Sequence, residues 1–169
     1  MNGVHEATPE VRLRSVEDQD IDVFFEHQAD PQAVEMAAFP ARAEDQFRAH
    51  WAKLRADDTL VVRTIVADGL VAGNIGSWLQ DGQQLLGYWV GREYWGRGIA
   101  TRALALLVDE VPVRPLYAHV VEHNLGSIRV LEKCGFRRDR AQEAQAPATD
   151  DGIEELIYVL REALDGSRG

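Results

Sequence analysis

The sequence predicts an α+β fold with a mixed, largely antiparallel central sheet flanked by helices. Three observations carry that prediction. Between residues 60 and 90, three runs rich in Val, Ile and Leu are separated by Ala67-Asp68-Gly69 and Gln80-Asp81-Gly82, the pattern of an antiparallel meander. Helical spacing of apolar residues lies on both sides of it, at Ile21, Phe24 and Phe25 before and at Ala103, Leu104, Leu107 and Val111 after. The remaining elements do not repeat as regular βαβ units, which argues against a doubly wound parallel sheet.

Taken in order, residues 11–14 form a first strand and 18–29 a helix, broken at Asp30-Pro31 because the residue before proline avoids helical geometry. Residues 31–43 are irregular or partly helical, and 43–55 is a second helix with Phe47, Trp51 and Leu54 on one face. The meander strands are 60–66, 70–79 and 85–90. A helix over 98–111 ends at Pro112 and Pro115, a strand covers 116–121, and a short helix spans 124–134 with Asn124 as its cap. Gly135 suits a left-handed C-terminal cap. Residues 137–152 read as a polar loop, 153–160 as the last strand and 165–169 as a frayed tail, leaving 1–164 as a single domain.

Charge and composition narrow the function. The 169 residues carry 18 Lys and Arg against 28 Asp and Glu, a net charge of −10, which repels nucleic acid and anionic membranes. Cys134, the single cysteine, excludes an internal disulfide framework and a cysteine-cluster zinc site. His119 and His123 sit on a strand and in a loop with no third ligand in view, so no metal is expected. The polar N-terminus lacks a signal-peptide core, and no run approaches the ~18 apolar residues of a membrane span, which makes a cytoplasmic location the default.

The charge is uneven. Arg92, Arg97 and Arg102 against Glu93 give residues 91–108 a net +2; Arg129, Lys133, Arg137 and Arg138 against Glu132 give 127–138 a net +3. The first island holds Gly96-Arg97-Gly98 just before a helix. Glycines there let successive backbone N–H groups converge, and the helix start adds unpaired donors, so the loop suits a phosphate or pyrophosphate. A dinucleotide-binding turn is a competing reading, with Glu122 as the ribose acid. It fits poorly, because the glycines follow a meander and lie several residues beyond the strand end.

Tyr94-Trp95-Gly96-Arg97-Gly98-Ile99-Ala100-Thr101, preceded by Gly87-Tyr88-Trp89-Val90, together with Asn124-Leu125-Gly126-Ser127-Ile128-Arg129-Val130-Leu131-Glu132-Lys133-Cys134-Gly135-Phe136, resembles the Gcn5-related N-acetyltransferase (GNAT) family, most closely its ribosomal-protein N-terminal acetyltransferase (RimJ/RimL-type) branch. The match runs over about residues 85–136. The resemblance implies acetyl-CoA as cosubstrate, a sheet splayed between the strands near 85–90 and 116–121, and pantetheine lying in the gap. It implies binding by Trp89, Val90, Arg92, Trp95, Gly96, Arg97, Gly98, Ile99, Ala100, Thr101, Asn124 and Ser127. Two positions depart from the common pattern: Trp95 replaces a Gln or Arg, and Leu131 replaces a tyrosine that protonates the leaving thiolate. Leucine cannot donate a proton, which makes Ser127 the substitute acid.

The implied reaction is direct attack of a primary amine, from a protein N-terminus or a small molecule, on the thioester. Backbone N–H of Trp89 or Val90 would polarise the carbonyl. No acid lies on strands 70–79 or 83–90, leaving Glu122, His119, His123 and Glu35 as candidate bases; Glu122 and Ser127 form the proposed catalytic pair. Glu26, Asp30, Glu35, Asp150 and Asp151 are candidates to attract a cationic acceptor. A non-catalytic CoA sensor and an NAD(P)-dependent oxidoreductase are the alternative functions, and a homodimer is compatible with the sequence.

Overall fold

In the computed structural model, residues 9–146 and 153–161 are described. The tail at 165–169 and residues 147–152 of the polar loop, including Asp150 and Asp151, lie outside them.

The elements are β1 (Val11–Arg14), α1 (Asp18–Ala29), α2 (Pro31–Ala37), α3 (Glu44–Ala56), β2 (Val61–Ala67), β3 (Leu70–Gln80), β4 (Gln83–Val90), α4 (Ile99–Glu110), β5 (Leu116–Val121), α5 (Leu125–Lys133), β6 (Arg137–Arg138), α6 (Arg140–Gln145) and β7 (Glu155–Leu160). A single 3₁₀ turn at Arg92–Tyr94 links β4 to the loop before α4. The sheet order is β1-β2-β3-β4-β5-β7-β6, and every neighbouring pair is antiparallel except β4 and β5.

That parallel pair shapes the site. β4 and β5 are in register only from Gln84–Leu116 to Leu86–Ala118, although β4 continues to Val90 and β5 to Val121. Beyond Leu86 and Ala118 the strands diverge, as expected for the splay. The register of the β3–β4 hairpin fixes which β4 groups face the opening. The Gly91 N–H donates to the Ala72 carbonyl at 2.9 Å, so by antiparallel alternation the Trp89 backbone faces β3, while Tyr88 and Val90 turn theirs toward the gap.

Side chains follow the same two-residue period. Leu86 and Val90 pack with Ile99, Leu104 and Leu107 of α4 on one face of the sheet. On the other, Leu85 joins Tyr117, Ile157 and Val159, and a separate cluster of Ile21, Phe24, Phe47 and Trp51 holds α1 and α3. α1 is pinned to the sheet by buried Asp20, which accepts from Arg14 at 2.6 and 2.9 Å and from the Thr64 hydroxyl at 2.7 Å. Burial pushes the Asp20 pKa up, but these bonds together hold it below the usual carboxylate value.

One segment sharpens the sequence expectation and a second departs from it. Part of 31–43 is a true helix, α2, because Asp30 caps it through the Gln32 amide and Pro31 takes its first turn, where a missing N–H costs nothing. The polar loop beginning at 137 contains β6 and α6. α6 is capped by Asp139, and Glu143 reaches back to accept from Arg138 and from the Ile157 amide. Elements of two and six residues show no apolar periodicity; these polar bonds hold them.

Candidate active site

The splay opens a cavity on each face of the sheet. The smaller, ≈ 380 Å³, lies on the α4–α5 face and the larger, ≈ 800 Å³, on the α1–α3 face. They share Ala37, Tyr88, Trp89, Asn124 and Ser127 as walls.

One end of the smaller cavity is a glycine loop and a helix start, and Arg129 and Lys133 also line it. Gly96 and Gly98 have φ of 75° and 77°, a left-handed conformation that side-chain-bearing residues adopt only at a cost, and Gly98 caps the start of α4. A Cβ at either glycine would meet nothing within 4 Å, so both face open space. The first-turn amides of α4 at Ile99, Ala100 and Thr101 have no intrahelical partners, and all three residues line the cavity. The Trp95 indole N–H donates to the Val90 carbonyl at 2.9 Å and closes the end of β4.

Of the residues that the sequence assigned to CoA, Trp89, Val90, Trp95, Gly96, Gly98, Ile99, Ala100, Thr101, Asn124 and Ser127 line this cavity. Arg92 and Arg97 stand outside its wall. Arg92 is held by Asp30 at 2.6 Å and by Gln32 at 2.6 Å, and Arg97 lies over the Tyr94 ring at 6.0 Å. The first contact ties the loop after β4 to the start of α2. Beside it, buried His27 packs so closely on Gly91 that a Cβ there would come within 2.6 Å of its Nε2. Burial lowers the His27 pKa.

Asn124 Oδ1 accepts from the Ser127 amide at 3.2 Å, which caps α5 and fixes Ser127 on its first turn. Ser127 Oγ lies 2.7 Å from the Tyr88 hydroxyl. Burial pushes Tyr88 up to about 12, so its phenol stays protonated and can donate to Ser127 Oγ, freeing the serine hydrogen to turn into the cavity. Tyr88 was not among the predicted site residues. Its place on β4, two residues beyond the last β4–β5 pair, was the available signal. Leu131 is fully buried in the core, and Cys134 is a buried thiol whose pKa burial raises and whose sulfur approaches the Thr101 carbonyl at 3.4 Å.

The base candidates separate sharply. Glu122 is exposed and lines neither cavity; it emerges just beyond β5, where its amide donates to the Glu154 carbonyl. His123 and Glu35 also line neither cavity, and the His123 ring contacts the Glu35 carbonyl at 3.0 Å. His119 does line the larger cavity. Its Nδ1 lies 2.8 Å from Glu155 Oε1, and Glu155 lines the same wall. That hydrogen bond holds the Glu155 carboxyl below the usual glutamate value. With Nδ1 engaged, Nε2 is the nitrogen left for a ligand.

Among the acids expected to attract a cation, Glu26, Asp30 and Glu35 line neither cavity, and Asp30 is spent on Arg92 and the α2 cap. Among the described residues, no three His, Cys, Asp or Glu side chains converge as a metal-ligand set, and no helix is long and apolar enough to cross a membrane. The antiparallel β3–β4 pair and the 3₁₀ turn before Gly96 also depart from the tight strand-to-helix turn that the dinucleotide reading required.

A model of the acetyltransferase (GNAT) domain matches residues 10–137. The probable N-acetyltransferase YjcK of Bacillus subtilis (strain 168) is 30% identical over 105 residues, which cover 60% of this chain and 55% of that protein; the chain thus spans about half the length of the curated relative it matches. An acetyltransferase from Agrobacterium tumefaciens str. C58 superposes with a TM-score of 0.73 at 19% identity, covering 96% of this chain and 99% of the other. Mycobacterium smegmatis RimJ, solved in complex with CoA-disulfide, gives 0.70 at 23% identity over 89% of this chain and 81% of its own. At these identities the two structural likenesses speak for the fold.

Proposed function

The chain belongs to the GNAT acetyltransferase family, and from that premise we propose that it transfers an acetyl group from acetyl-CoA to a primary amine by direct attack in a ternary complex. The observation that carries this reading is the meeting of two cavities at Tyr88, Trp89, Asn124 and Ser127 where β4 and β5 part. A donor entering from the α4 face and an acceptor entering from the α1–α3 face would touch there and nowhere else along the sheet.

The smaller cavity fits the donor. The open glycine loop and the α4 amides suit its pyrophosphate. The Tyr88 and Val90 backbone groups turned toward the gap suit its amide-bearing arm, with the Val90 carbonyl already taken by Trp95. Acetyl-CoA supplies the activated acetyl thioester. The chain supplies position and protons. His119, oriented by Glu155, takes a proton from the acceptor ammonium at Nε2 and releases it to solvent. The N–H groups of Tyr88 and Val90 are the donors available to a carbonyl oxygen gaining charge. Ser127, hydrogen-bonded by Tyr88, gives its proton to the departing sulfur and recovers one, through water, from the attacking nitrogen as it becomes the amide N–H. A C–N bond replaces a C–S bond, and no oxidant or metal enters the balance.

The test has two stages. A thermal-shift series with acetyl-CoA, CoA and NAD(P) should show stabilisation by the CoA species alone, because a ligand that binds only the folded state raises its apparent stability by mass action. A thiol-release screen over amines then separates catalysis from binding. Absence of any shift with acetyl-CoA and CoA overturns the donor assignment; binding with no release from any amine leaves a CoA-binding module.

A further inference from the structure

The larger cavity has an electrostatic pattern that a simple cationic acceptor would not need. Its walls are rich in rings, with Phe39, Trp78 and Trp89 bordering the space. Glu155 is the one carboxylate among its described lining residues. The lining also includes Arg42, whose guanidinium makes no ion pair with any described residue and rests on the Phe39 ring at 5.5 Å. The backbone of Arg42 is clamped from both sides by buried Gln28, which donates to its carbonyl at 3.1 Å and accepts from its amide at 3.3 Å. The position is therefore held while the charged end is left unmatched. His50 lines the same wall, and burial together with Arg42 and Lys53 disfavours its charged form, so Arg42 is the standing positive charge.

An arginine half-buried on an aromatic ring with no carboxylate beside it leaves its charge-assisted donors available to an anion. Phe39 packs edge-on to Trp89, with centroids 6.4 Å apart, so the guanidinium is two ring contacts from the junction of the cavities. Both ends of the acceptor are thereby described. Its amine meets His119 and Ser127, its body lies against Phe39, Trp78 and Trp89, and its far end meets Arg42.

We propose that the acceptor is an amphoteric amine, with a primary amine at one end, an aromatic or bulky apolar body and a carboxylate at the other, and that Arg42 selects it. This rests on the acetyl-transfer reading and sharpens its substrate class. Polyamines are a poor match, because one carboxylate cannot neutralise several ammonium groups in a cavity that already holds Arg42.

A matched pair of probes tests it, 4-(aminomethyl)benzoate against 4-methylbenzylamine, with spermidine as the polycation. The expected result is a kcat/KM for the carboxylate probe at least about tenfold above that for the neutral one, the size of a charge-assisted contact. In Arg42→Gln the ratio of the two kcat/KM values should fall toward unity while the acetyl-CoA thermal shift persists. Quenching of tryptophan fluorescence by the carboxylate probe should weaken in the variant by a similar factor, which reads binding without turnover. Equal rates for the pair, a preference that survives Arg42→Gln, or spermidine as the best acceptor overturns the proposal and leaves acetyl transfer standing. Thiol release from no amine at all overturns the transfer reading and this proposal with it.

Discussion

The two cavities that meet beside Tyr88 are built from different materials. The donor side offers a run of local backbone: two left-handed glycines, the unpaired first-turn amides of α4 and the strand groups left over where β4 parts from β5. The acceptor side is side chain: Arg42 before α3, Trp78 on β3, His119 on β5 and Glu155 on β7, brought together from across the chain. Backbone recognises what every user of one donor shares. Side chains at scattered positions can change one at a time, and they are where an acceptor is chosen.

The largest expected effect falls on the donor side. Gly98→Glu puts bulk and negative charge into the loop at a φ of 77° and should abolish stabilisation by acetyl-CoA. Gly98→Ala isolates the backbone share and should cost about 1–2 kcal/mol in stability or binding. If both bind acetyl-CoA normally, the donor cavity has been misassigned.

Next come the groups at the junction. Ser127→Ala should lower kcat by roughly a hundredfold or more, the usual worth of a positioned proton donor, with acetyl-CoA affinity nearly unchanged. Tyr88→Phe should act in the same direction, and the double variant should be no worse than Ser127→Ala alone, since the phenol acts through the serine. Additive losses would give Tyr88 a separate role.

On the acceptor side, His119→Gln should reduce kcat/KM by about a hundredfold and Glu155→Gln by about tenfold, because the second removes only the group that orients the first. The Glu155 carboxyl is held below its usual value by His119. The pair is therefore complete at and above the ordinary carboxylate range and is lost as pH falls through the lowered value. Rate–pH curves for the wild type and Glu155→Gln should stay apart at neutral pH and converge only in acid. Convergence at neutral pH would remove Glu155 from the mechanism.

The smallest effect tests a substitution in the family pattern. Leu131 is 1% exposed within the core. Leu131→Tyr should overpack it at a cost of about 1–3 kcal/mol in chemical denaturation. Leu131 also lines the larger cavity with Tyr88 and Ser127, so the new phenol should restore part of the rate lost in Ser127→Ala; no recovery would put its hydroxyl out of reach of the junction.

The contrast in materials also explains what could be read from the sequence. Gly96, Gly98 and the start of α4 are contiguous, so their local geometry is written in local sequence, and the meander turns at Asp68-Gly69 and Asp81-Gly82 are equally local, with the aspartates at φ of 50° and 51°. The His119–Glu155 pair is not local. It exists because β7 returns antiparallel beside β5 with Val121 opposite Glu155 and His119 opposite Ile157, which puts the two side chains on one face along a diagonal. A one-residue slip would separate them, and nothing near either residue sets that register. Arg92 has partners that are just as remote. Its neighbours marked it as basic and close to the loop, while its partners Asp30 and Gln32 lie about sixty positions earlier.

That contact carries a thermodynamic corollary. The Arg92 bonds to Asp30 and Gln32 join the segment leading into the glycine loop to the helix whose far end, at Ala37, borders both cavities. Occupancy of one chamber can be felt in the other through such a bridge as well as at the shared walls, and linkage is reciprocal: any factor by which acetyl-CoA tightens the amine is the factor by which the amine tightens acetyl-CoA. Arg92→Ala should leave each ligand binding alone and bring that mutual factor toward unity, which two calorimetric titrations, each run with and without the other ligand or an unreactive analogue, would measure.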